Sequence, residues 1–134
     1  MSLEELKSQF LVDDEVPNEK LEQLISRALH HCVVRKKGTV DIKTNLPGKQ
    51  LVKLALAARL LASKLDESVN GDVTVEELSE FTGLPKDQAA ARAKDCLDEK
   101  FAERSARGSY KARLLKLEEF LNGLPQSVGG QRAS

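Results

Sequence analysis

The sequence predicts a mostly α-helical fold with small β-hairpins, and three observations carry that expectation. Apolar residues recur at helical spacing in several stretches, among them Leu21, Leu24, Ile25 and Leu29, and Ala89, Ala93, Cys96 and Leu97. Helix start and stop signals crowd between Thr74 and Pro85. The strand-like runs are short, and a glycine-bearing turn sits between each pair.

Taken in order, Leu3 to Phe10 predicts a short helix with Leu3, Leu6 and Phe10 on one face. Asp13, Asp14 and Glu15 break that pattern, and a second helix runs from Asn18 to about Val33. Val33 and Val34, then Val40 and Ile42, flank Lys37-Gly38, which suits a hairpin turn. Leu46-Pro47-Gly48 punctuates the chain. A helix from about Lys49 to Leu65 follows, nearly all apolar between Leu54 and Ala62 except for Arg59. A helix so apolar on most sides packs on more than one neighbour. A loop with Asn70-Gly71 follows.

The stretch from Thr74 to Ala112 organises the rest. Thr74 is a good N-cap, and Glu77 three residues on completes a capping box. Leu78 and Phe81 share a face, and Gly83 ends the helix where a left-handed residue costs least. Pro85 opens the next helix at its first position, where its missing N–H costs nothing. Two helices joined by a short turn containing glycine form a helix-turn-helix unit. Strand candidates Phe101 to Ser105 and Ser109 to Arg113 then bracket Ala106-Arg107-Gly108. A last helix covers Arg113 to Asn122, stopped by Gly123 and Pro125.

In these residues the chain resembles the winged-helix superfamily of DNA-binding domains, from about Pro47 to Leu124. The matching phrases are EELSEFTGL, PKDQAAARAKDCLDEKF and the hairpin tip RSARGSY. The resemblance implies a winged helix-turn-helix core plus an N-terminal helical arm. The expected domains are an arm and basic hairpin over 1–46, the winged helix over 47–124, and a disordered tail over 125–134. Many winged helices bind protein and not DNA, so function is argued from the site.

Composition limits the function classes. Lys and Arg balance Asp and Glu at 21 each, so attraction to nucleic acid must come from local patches. Residues 1–23 hold seven acidic and two basic side chains, residues 35–53 one acidic and six basic, and residues 84–116 five acidic and nine basic. No apolar run approaches the ~18 residues of a membrane span, and the acidic N-terminus is unlike a signal peptide. Two cysteines 64 positions apart read as reduced thiols, and a cytoplasmic location is expected.

On the helix after Pro85, Lys86, Gln88, Arg92 and Lys94 face outward. Gln and Arg can read base edges, and Lys can meet phosphate. Ala90 and Ala91 weaken base reading, and Asp95, Asp98, Glu99 and Glu103 would repel a backbone. On the hairpin, Arg104, Arg107, Tyr110 and Lys111 form the stronger candidate for phosphate or minor-groove contact. Arg35, Lys36 and Lys37 form a second basic patch, or a merely solubilising tip.

Adjacent His30 and His31 point ~100° apart on a helix, so no metal site is expected there, and one of them instead caps the helix C-terminus. No nucleophile elbow, phosphate loop or zinc motif is present, so no catalytic residue and no cofactor is expected. The leading expectation is a DNA-binding transcriptional regulator acting on double-stranded DNA. The rival is a winged-helix protein-interaction module. A homodimer through Leu3, Leu6 and Phe10 of the arm is a third reading.

Overall fold

The computed structural model describes residues 2–10 and 17–125. Asp13 to Glu15 and the tail beyond Pro125, where breaks and disorder were expected, lie outside those residues. Among the described residues are six α-helices and two small antiparallel sheets.

Helix α1 (Leu3–Phe10) is amphipathic, but its apolar face is uncovered: Leu3, Leu6 and Phe10 are all exposed. Helix α2 (Asn18–Leu29) buries Leu24 and Ala28. It ends four residues earlier than the sequence predicts, because His30 forms its C-cap and Cys32 to Val34 pair as strand β1. Strand β2 (Val40–Ile42) completes the first hairpin, with Cys32 opposite Ile42 and Val34 opposite Val40. Gly38 turns it at φ 96°, in the left-handed region that glycine tolerates best. The Gly38 N–H donates to Arg35 O at 2.8 Å, and the Arg35 N–H donates to Thr39 O at 2.8 Å.

Helix α3 (Gly48–Leu65) is the centre of the molecule, as its apolar sequence predicts. Val52, Leu54, Ala55, Leu56 and Ala57 are wholly shielded from solvent. Each such leucine contributes roughly 1.5–3 kcal/mol of burial. Arg59 is buried with them, and its three nitrogens are all spoken for. Nε donates to Asn70 O at 2.6 Å, Nη1 to Gly38 O at 2.9 Å and Nη2 to Glu77 Oε2 at 2.7 Å. The guanidinium also lies over the Phe81 ring, 5.6 Å from its centroid. One side chain thus ties the first hairpin, the loop after α3 and the next helix to the core.

Strand β3 (Val73–Thr74) leads without a linker into helix α4 (Val75–Thr82). The capping box forms as expected: the Glu77 N–H donates to Thr74 Oγ1 at 3.1 Å, and the Thr74 N–H donates to Glu77 Oε1 at 3.0 Å. Gly83 closes α4 at φ 78°. Ser79 Oγ donates to Leu84 O at 2.6 Å and fixes the turn. Helix α5 spans Lys86–Asp98. Pro85 is its N-cap, one residue before the position predicted for it, with extended ψ of 150°. Ala89, Ala93 and Cys96 pack inward with no exposed surface.

Strands β4 (Ala102–Ala106) and β5 (Ser109–Ala112) form the second hairpin. The three-stranded sheet runs β3-β5-β4, all antiparallel, with Val73 opposite Tyr110 and Ala102 opposite Ala112. Phe101, expected in the strand, instead precedes it. It is buried edge-to-face against Phe120 with centroids 5.3 Å apart. The final helix also starts later than predicted: Leu114–Lys116 make a 3₁₀ turn before helix α6 (Leu117–Asn122). One hydrophobic core joins residues from α2 through Leu124, so the first hairpin packs on the same core as the second.

Candidate nucleic-acid interface

The second hairpin presents its cations because of its register. In β5, Tyr110 and Ala112 point inward while Ser109 and Lys111 are half-exposed, the alternation a pleated strand imposes. In β4 only Ala102 is buried, and Glu103 through Ala106 are exposed. β4 is an edge strand, and charges there discourage pairing with another chain. Arg104 sits opposite Tyr110, its guanidinium carbon 5.7 Å from the ring centroid. Lys111 sits opposite Glu103, with its stem against Gly71. Arg107 stands at the exposed tip beside Gly108, which turns at φ 74°. A Cβ added at Gly108 would meet nothing within 4 Å. Among the described residues Arg104, Arg107, Lys111 and Lys94 take part in no ion pair.

Tyr110 does not fit its predicted role. It is 6 % exposed, held by the Val73 pairing and the core, so it is a wall of the sheet and a seat for Arg104, not a surface contact.

On α5 the four predicted residues divide. Gln88 and Lys94 are exposed. Lys86 Nζ pairs with Glu76 Oε2 at 2.8 Å, and that hydrogen bond holds the Glu76 carboxyl below its ordinary range. Arg92 Nε lies 2.9 Å from Asp95 Oδ2, one turn along the same helix. Both cations stand beside a carboxylate, but Arg92 Nε is buried and misaligned for a hydrogen bond to Asp95, while the exposed Lys86–Glu76 pair is worth about 1 kcal/mol or less and exchanges readily. Ala91 is exposed and Ala90 half-buried beside them.

Three of the six cations in the basic segment 35–53 are paired. Arg35 Nη2 pairs with Asp41 Oδ2 at 2.9 Å. Lys49 and Lys53 both clamp Glu99, at 2.5 and 2.7 Å, and these hydrogen bonds hold the Glu99 carboxyl low and raise the Lys49 ammonium. Lys36 and Lys37 remain exposed at the first hairpin tip.

His31 is buried and its Nδ1 lies 2.9 Å from Thr44 Oγ1. Burial first, and the neighbouring His30 second, lower its pKa. Cys32 donates to Ala28 O at 3.5 Å, and burial pushes both the Cys32 and Cys96 thiols up to about 12.

One feature escaped the sequence reading. Ile25, Leu29, Val34, Leu61, Leu65 and Val69 line an apolar groove of about 400 Å³ between α2, β1 and the end of α3, with Arg35 and Lys36 also on its wall. The available signal was leucine at the last position of two helices, where Leu29 and Leu65 stand exposed. Searches against protein-family models, curated proteins and solved structures find no match to the chain.

Proposed function

We propose that residues from α3 to α6 form a winged-helix domain that binds duplex DNA, mainly through its phosphate backbone, in a role in transcriptional regulation. The order helix, strand, two helices joined by a tight turn, then a hairpin that pairs back on the strand supports the fold reading. The observation that carries the function is the second hairpin, where exposed Arg104 and Arg107 and half-exposed Lys111 have, among the described residues, no carboxylate partner. Lys94 adds a fourth cation from α5. Gln88 is exposed and suited to a base edge, while Lys86 and Arg92 would first leave Glu76 and Asp95. Backbone contact therefore outweighs base reading.

Fluorescence anisotropy with duplexes of unrelated sequence tests this. Four phosphate contacts predict an affinity loss of roughly 100-fold between 50 and 200 mM salt. Arg107→Ala with Lys111→Ala should weaken binding to every sequence alike and flatten the logarithmic salt slope by about 2. Absence of binding at low salt ends the proposal.

The second reading is a protein-interaction module. The apolar groove and the alanines at positions 90 and 91 favour it.

A further inference from the structure

We infer that the chain forms a homodimer in which helix α1 of each copy lies in the apolar groove of the other. This goes beyond DNA binding and does not depend on it. Two incomplete surfaces stand in one molecule. Helix α1 shows its whole apolar face to solvent, with Leu3 at 85 % and Phe10 at 87 % exposure. The groove shows Leu29 and Leu65 at 58 % and 68 %.

Leu3, Leu6 and Phe10 stand at offsets of 3 and 7, a row about 10 Å long on the helix axis. On the groove side Leu29 and Leu65 are open at the rims, over a floor that includes the buried Ala58 and Leu61. An amphipathic helix laid in a groove through such i, i+3, i+7 anchors is a recurrent recognition mode. The charges favour the same pairing. Helix α1 carries Glu4 and Glu5 against one lysine, Lys7. Lys36 borders the groove beside Arg35, which Asp41 already pairs, and exposed Arg27 and Lys64 belong to the helices that form it. Asp66, also on the lining, is kept ionised by hydrogen bonds from the Ser68 amide at 2.9 Å and hydroxyl at 2.7 Å.

A second copy is the natural occupant, because each molecule offers both the helix and the groove. A two-fold axis then satisfies both at once and closes the assembly at two subunits. The geometry also fits a DNA-binding reading, since a two-fold protein meets two half-sites.

Light scattering on the full chain, without DNA, tests the dimer. The expected mass is twice 14.8 kDa. Leu65→Glu on the groove side and Leu6→Glu with Phe10→Glu on the arm side should each give a monomer. All three residues are exposed, so the variants keep their fold, checked by unchanged circular dichroism and melting. Mixing the arm variant with the groove variant should restore a dimer, because one intact helix then meets one intact groove. A wild-type chain that stays monomeric up to about 1 mM overturns the inference, as it would if α1 covered its own groove. So does a dimer that survives either variant, or a mixture that stays monomeric.

Discussion

The two hairpins look alike in sequence and differ in kind. Each has a basic tip and a glycine with positive φ. At the first, the Gly38 carbonyl is held by Arg59, a Cβ there would stand 3.3 Å from the guanidinium, and Arg35 is paired with Asp41. At the second, the turn has open space around it, and among the described residues its arginines have no carboxylate partner. At its glycine the Val75 N–H donates to Gly108 O at 3.2 Å. The same residue types therefore serve as a rivet in one place and as a presented surface in the other. What separates them is whether the core sends a charged side chain out to meet the turn.

Removing that side chain should have the largest effect. Arg59→Ala leaves Glu77 and two carbonyls without their donor, and a loss of about 3–5 kcal/mol in urea unfolding is expected. A loss below 1 kcal/mol would show that the first hairpin stands without its rivet.

The glycines give the next contrast. Gly108→Ala should cost about 1–2 kcal/mol, the strain of a left-handed alanine alone. Gly38→Ala should cost about 1–2 kcal/mol more, because Arg59 must also shift. Equal losses by chemical denaturation would erase the distinction between the two turns.

The smallest effect is on pH, and it should concentrate on the first hairpin. His31 closes the base of that hairpin, accepting from the Lys43 N–H at 2.7 Å, and its folded pKa is lowered by burial. The unfolded chain then binds the proton first, so stability falls as pH drops through about 6.5. Burial alone would raise the Glu77 carboxyl, but hydrogen bonds from Arg59 and Thr74 outweigh it and hold it low. Its contribution is present above about pH 4.3 and is lost as pH falls below that value. Denaturation midpoints across pH 3–8 should show both steps, and Glu77→Gln should shrink the lower one, to which Glu76 and Glu99 also contribute.

Much of this was legible. The capping box at Thr74 and Glu77, the left-handed Gly83, both hairpins and the buried α3 all follow from local chemistry that a sequence displays. The errors share a cause in distant partners. Tyr110 was placed on the surface because its cations are adjacent in sequence, but its orientation is set by Val73, far back in the chain. Arg59 was visible as an interruption in an apolar run, yet its partners lie at positions 38, 70 and 77. Glu99, which pairs with Lys49 and Lys53 of the basic segment 35–53, is likewise remote in sequence. The groove needs α2, β1 and α3 assembled before it exists.

Thr74 ends strand β3 and caps helix α4, with no residue between the two. Strand β3 is paired to β5, the returning arm of the second hairpin. The Val75 N–H also donates to Gly108 O, so the hairpin tip is bonded directly to the first residue of α4 and the direction of that helix is fixed by the sheet.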